Sequence, residues 1–371
     1  MNLFERFEVL EDPRDIRGKK YKLIDILIMT IYGLLCGLKD YVNIADFMKL
    51  KEEYFTKLLG LENGTPSHDC LSDLFASIDS QKFMEIFIEW TKDIIKKKSG
   101  KNISIDGKAI KSATDKINNK NIPYIVSAFI GEVGLSIGQV KVDDKSNEIT
   151  AIPDLLDLLD IEGATITIDA IGTQENIVNK IVEKKGHYVL PVKENQKELR
   201  RQIKSQFDTY NNLHGNTEII YKKTVEKDHG RIEEREYYLC YNISKIKDKK
   251  WKTIKAIAYI KASRTYSNET ITTENYYIID YQITMEKLIL AIRDHWNIEC
   301  GLHWKLDVIL DEDHSRNRVQ NSINNLSIMR NIIFNLASSF GKLPLQRKLT
   351  RYILDFSNIE KLIFEIIPSI S

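Results

Sequence analysis

The chain has 371 residues, 54 Lys and Arg against 53 Asp and Glu, a net charge of +1 and 43% hydrophobic residues. That length suits two or three domains, and the composition excludes a collagenous, low-complexity or disordered protein. Near-neutrality excludes polyanion binding by bulk charge, so any such surface must be a local patch.

The start, MNLFERFEVLEDPRD, alternates acids and bases before any apolar run, unlike a secretory leader, so a cytoplasmic protein is expected. The most apolar stretch, Leu23 to Leu38, is interrupted by Asp25 and falls short of the roughly 20 residues a bilayer span needs, so no membrane partner is expected. From Tyr21 to about Trp90 apolar residues recur every three or four positions, which predicts helices, with Pro66, Ser67 and Asp69 as a helix start. The break KKKSGKN closes this N-terminal helical domain, residues 1–98, a candidate for binding DNA ends. Cys36, Cys70, Cys240 and Cys300 form no CxxC pair, which favours reduced structural thiols over a zinc site or a disulfide framework.

In the remainder, residues 99–371, the pattern changes to alternation. NISIDGKAI, IPYIVSAFIGEV and LSIGQVKVD read as a three-strand meander. The helix EITAIPDLLDLLD, the strand ATITIDAI, the helix TQENIVNKIVEKK and the strand HYVLPVKEN follow. This order, βββαβαβ, is the layout of an α/β domain of the RNase H-like (retroviral integrase-like) type. Short β-like runs at about 206–284 are expected to form a β-rich insertion that interrupts the core, apart from its central sheet, and contacts DNA or the partner protomer, and helical periodicity resumes near Met285.

Asp106 in ISIDGKA and Asp169 in ITIDAIG are acids set in apolar strands, where a carboxylate is costly unless paired or bound to metal. A strand-end turn former is the plainer alternative for each. In the expected topology the two strands are parallel neighbours, which brings like charges together and invites one or two divalent cations, Mg²⁺ or Mn²⁺. Two such ions serve phosphodiester cleavage. On the late helix Glu299 follows His295 by four residues and precedes His303 by four, so an α-helix would align all three; HEXXH is absent, and a polar stripe is the plainer reading.

SIDGKAIKSA, the stretch from VSAFIGEVGL to IDAIGTQ, HYVLPVKENQ and IRDHWNIECGLHWKLDVILDEDHSRNR, with DPRDIRGKKYKL and TPSHDCLSDLF near the start, resemble DDE transposases of bacterial insertion sequences, in the H-repeat-associated (ISAs-one) group. The resemblance implies an RNase H-like catalytic core with an insertion, the triad Asp106, Asp169 and Glu299, two metal ions, double-stranded DNA as element ends and target, and a homodimer on DNA. Related transposases often carry Arg four residues before the last acid and Lys seven after; here those positions hold His295 and Leu306. Arg293, His295, His303 and Lys305 are the candidates to replace them. Further candidates for DNA contact are Lys108 and Lys111 beside Asp106, Arg231 in HGRIEER, and Lys193, Lys197, Arg200 and Lys204 at helical spacing, although a solvated helix face is the commoner meaning of such a run. Trp296 and Trp304 are read as core residues before base-stacking ones.

The rival readings are a DNA-binding relic that no longer cuts and an RNase H-like nuclease without strand transfer. A nucleotide hydrolase is disfavoured, because GKAIKS lacks the upstream Gly of a phosphate-binding loop.

Overall fold

The computed structural model describes residues 3–15, 17, 19–95, 102–110, 122–142, 147–210, 213–228, 230–266, 269–315, 319–339 and 341–366. In chain order the elements are α1 (Leu3–Phe7), α2 (Leu23–Leu35), α3 (Tyr41–Leu50), α4 (Glu52–Leu59), α5 (His68–Ser77), α6 (Ser80–Ile95), β1 (Asn102–Ala109), β2 (Tyr124–Ile130) and β3 (Leu135–Val142). Next come α7 (Glu148–Leu158), β4 (Thr165–Ile168), α8 (Glu175–Glu183), β5 (His187–Val192), α9 (Lys197–Asp208), β6 (Ile219–Asp228), β7 (Arg231–Cys240), β8 (Ala256–Tyr266) and β9 (Glu269–Ile279). The chain finishes with α10 (Met285–Asn297), π-helical segments Ile298–His303 and Lys305–Ile309, α11 (Gln320–Ser338), α12 (Leu345–Leu354) and α13 (Ser357–Glu360). No helix among the described residues is long and apolar enough to cross a membrane.

The chain forms two compact units: one comprises 1–100, 107–147 and 298–371, the other 101–106 and 148–297. In the first, the long helix α11 packs on α5, α6 and β3. Its buried amides replace apolar contacts with hydrogen bonds to backbone: Asn325 Nδ2 donates to the Phe75 and Ile78 carbonyls at 2.8 and 2.9 Å, and Asn335 both accepts from the Ser136 amide at 2.9 Å and donates to its carbonyl at 2.7 Å. Such satisfied polar groups fix the register of helix on strand. At the start of α5, Ser67 Oγ accepts from the Cys70 amide at 3.3 Å, the cap expected from its position.

In the second unit the first half of β1 is followed by β4, β5, β9, β8, β7 and β6. β4 runs parallel to β1, with Asn102 opposite Thr165 and Ile105 opposite Ile168, and parallel to β5. The β-rich region does not stand apart: β9 pairs antiparallel with β5, Val189 opposite Ile279 and Val192 opposite Tyr276, so the supposed insertion prolongs the sheet. The reason is that β5 still has an open edge, and the apolar residues of β9 cover it. Helix α10 then lies on this extension, with Leu288 and Ala291 buried against Val189, Leu239, Ala258 and Ile279.

Candidate active site

Because Ile105 and Ile168 are register partners, the next residues take equivalent positions on two adjacent parallel strands, Asp106 inside β1 and Asp169 just past the end of β4. Neighbouring strands lie about 4.8 Å apart, so the register alone sets the two acids on neighbouring positions. Both are half-buried. Asp169 stops its strand: Oδ1 accepts from the Ile171 and Gly172 amides at 2.9 and 3.3 Å, capping the turn Ala170–Gly172. Only Gly fits at position 172, where a Cβ would lie 2.3 Å from Ile168 Cγ2. The loop after β5 braces this turn, with Asn195 Nδ2 donating to the Ala170 carbonyl at 2.5 Å and Gln196 Nε2 to the Thr173 carbonyl at 2.9 Å.

His295, near the end of α10, shares this unit with the two acids. Burial lowers its pKa below the ordinary 6.5, opposed by the charges of Asp106 and Asp169 and reinforced by Lys193, so the ring is neutral near pH 7. A relay fixes its tautomer. Ser104 Oγ donates to the Asp294 carbonyl at 3.1 Å, Thr167 Oγ1 donates to Ser104 Oγ at 3.2 Å, and His295 Nδ1 lies 3.2 Å from Thr167 Oγ1, which must then accept. The proton sits on Nδ1 and the lone pair on Nε2. Asp294 is buried and accepts from Asn102 Nδ2 at 3.1 Å, tying α10 to β1.

The sequence placed His295, Glu299 and His303 on one helical face. The helix changes to π-helical winding at Ile298, and Glu299 is exposed whereas His303 is buried, so the three do not form a stripe. No group of three or more His, Cys, Asp or Glu side chains placed to hold a metal ion occurs among the described residues. Trp296 and Trp304 are 59% and 53% exposed and so are not core residues.

The basic residues divide sharply. Lys193, Lys197 and Lys204 are exposed, the last two on α9 and Lys193 just before it. Arg200 pairs with Glu194 at 2.7 Å and sits over the Tyr276 ring, Arg293 pairs with Glu226, and Arg231 lies 3.8 Å from Glu233. Lys305 is half-buried over Phe334, and burial lowers its pKa. Lys108, expected beside a DNA backbone, is instead buried in an ion-pair cluster with Asp307 and with Glu312, whose Oε2 lies 2.7 Å away. Its ammonium is buried, and the fully buried Glu312 answers its charge. Burial of His303 likewise removes it from a DNA-facing role, and Lys111 lies outside the described residues. Glu312 and the Ser104–Thr167 relay escaped sequence reading. A Lys two residues after a strand acid was the signal for the first; nothing local marked the second.

Residues 4–91 match the family described as DDE_Tnp_1-associated, and residues 100–336 match Transposase DDE domain. Over 363 residues the chain is 34% identical to "H repeat-associated putative transposase YhhI" of Escherichia coli K12, with 95% of each chain covered. It is also 34% identical over 361 residues to "Putative protein YbfL" of the same strain, again with 95% of each covered. Among solved structures, the piggyBac transposase synaptic complex with hairpin DNA aligns over 98% of this chain and 76% of its own at 12% identity; a TM-score of 0.42 is too low to carry an argument.

Proposed function

The chain belongs to the DDE transposase family, and on that premise we propose that it is an insertion-sequence transposase with an RNase H-like core, which cleaves DNA at the ends of its element and joins them to target DNA. The observation that carries this reading is the parallel register of β1 and β4, which sets Asp106 and Asp169 at neighbouring positions on adjacent strands. Glu299 completes the proposed set. Its rivals downstream are engaged, Asp307 by Lys108 and Asp311 by His314 at 2.7 Å and Lys39 at 3.6 Å, which supports an exposed Glu299 as third acid.

A donor set made only of carboxylate oxygens fits Mg²⁺ or Mn²⁺ better than a soft metal, and Asp106, Asp169 and Glu299 are the residues that would hold two such ions. When bound, the ions offset the like charges and polarise the scissile phosphodiester toward attack. The chain's own groups do the rest. Amide bonds at Oδ1 orient Asp169, the Thr167 relay holds His295 with Nε2 as acceptor, and that nitrogen can take the proton from an attacking water or DNA 3′-hydroxyl. Lys193, Lys197 and Lys204 supply exposed charge for the phosphate backbone of a duplex shared by two protomers.

The test is cleavage of DNA carrying the element's own ends, with Mg²⁺ or Mn²⁺ and with excess chelator. Cutting confined to the metal-containing reactions and followed by joined products is expected. Cutting undiminished by chelator would overturn the metal assignment, and cutting without joining would reduce the protein to a nuclease.

A further inference from the structure

The family match ends at residue 336, and the reading above gives the helices beyond it no part. Helix α12, LQRKLTRYIL, carries Arg347, Lys348 and Arg351 and no acid. Beside it lies a cavity of about 280 Å³ whose polar lining is Lys348, Arg351, Tyr352, Asn358 and Lys361, without a carboxylate. Among the described residues neither Arg351 nor Lys361 is in a salt bridge, although Lys361 is near enough to the Asp355 carboxylate to help lower its pKa. Lys348 is buried, and among the described residues its ammonium donates to the Ala337 carbonyl at 2.6 Å and is in no salt bridge. Burial lowers its pKa, and the like charge of Lys305 lowers it further. A buried cation with no anion beside it is costly, and an anion entering the cavity would relieve that cost.

We propose that this cavity seats a phosphate of the DNA backbone, at a contact separate from the three acids and independent of base sequence. Arg351 offers a planar fork for two phosphate oxygens, Lys361 a mobile point charge and Tyr352 a neutral donor, while the Asn358 amide is already engaged with Asp355. The open cavity admits a group projecting from a duplex, and helical periodicity fixes which residues reach it: positions 348, 351 and 352 share one face of α12. The inference rests on the transposase reading only in taking DNA as the polyanion.

The experiment measures binding of the full-length protein to a short duplex of arbitrary sequence by fluorescence anisotropy between about 50 and 200 mM salt, comparing wild type with Arg351→Gln/Lys361→Gln. Each neutralised phosphate contributes about 0.9 to the slope of log affinity against log salt, and the cavity seats one, so the double variant should lose about 0.9 from the slope and roughly three- to fourfold of the salt sensitivity across that range. Lys57→Gln, an exposed charge on α4, should leave the slope unchanged, and matching thermal melts establish that the double variant is folded. An unchanged slope in the folded double variant overturns this proposal and leaves the transposase reading standing; a wild type that binds no duplex at low salt overturns both. If inorganic phosphate stabilises the wild type but not the variant while their duplex slopes agree, the cavity takes a free anion and the DNA assignment is wrong.

Discussion

Replacing Lys108 with Met should destabilise the protein far more than removal of a surface charge. Glu312 is 1% exposed and its carboxylate meets the Lys108 ammonium at 2.7 Å, so the substitution leaves a buried anion without its partner. Such losses cost about 3–5 kcal/mol, and the lower end applies here because the buried Arg330 also holds the Glu312 pKa down. About 3 kcal/mol corresponds to a fall of roughly 4 °C in the thermal midpoint of a chain this long. Glu312→Gln alone should cost less, since Lys108 keeps Asp307. Because the two side chains interact directly, the double variant should cost less than the sum of the singles by about 1–3 kcal/mol. Although burial pushes the Glu312 pKa up, its cationic neighbours hold it below the ordinary 4.5. For a carboxylate depressed in the folded state, the pairing contributes fully above the unfolded value and fades as the pH falls through the folded one, so the coupling should vanish on acidification below 4.5. Denaturant unfolding of the four proteins at two pH values measures all of this. Additivity within about 0.5 kcal/mol at pH 7 would refute the reasoning.

Glu299→Gln should reduce cleavage by at least about a hundredfold while leaving duplex affinity and the thermal midpoint nearly unchanged, since the residue is exposed; a variant that cuts at the normal rate moves the third acid elsewhere. Gly172→Ala places a methyl against Ile168 and should cost about 1–3 kcal/mol and slow cleavage through Asp169, and an unchanged melting curve would show that the turn yields. Asp294→Asn should loosen the tie between α10 and β1. It sets a donor against the Asn102 or Asn297 amide, each at 3.1 Å, and should cost about 1–3 kcal/mol in denaturant, whereas a loss under about 0.5 would mean α10 is held by its apolar face alone.

The sequence was most legible where chemistry broke a local pattern. Asp106 and Asp169 interrupt apolar strands, and a parallel pairing inferred from element order was enough to place them side by side. Element type in the 219–279 region was also readable from alternation, but the sheet it joins was not, because period-two patterning says which residues face a core and nothing about which edge a strand will find. Pairing of Val189 with Ile279 is a long-range event with no local marker. The same limit hid the partner of Lys108, since Glu312 lies over two hundred positions away and sits in an acidic run that reads as solvated. Winding was misjudged at Glu299 because spacing of four residues implies an aligned face only while a helix keeps α geometry, which this one abandons at Ile298.

Prolonging the sheet through β9, β8 and β7 leaves β6 as its last strand among the described residues, ten residues long, with Ile220 and Val225 exposed. A strand in that position offers unpaired amides and carbonyls to any other strand it meets, and exposed branched side chains make the offer stronger. Lys222, Lys223, Glu226 and Lys227 interrupt it with charge. An incoming copy of the same strand would set lysine near lysine and strip their water, so the border that extends the sheet is also the one that guards it against self-association into aggregates.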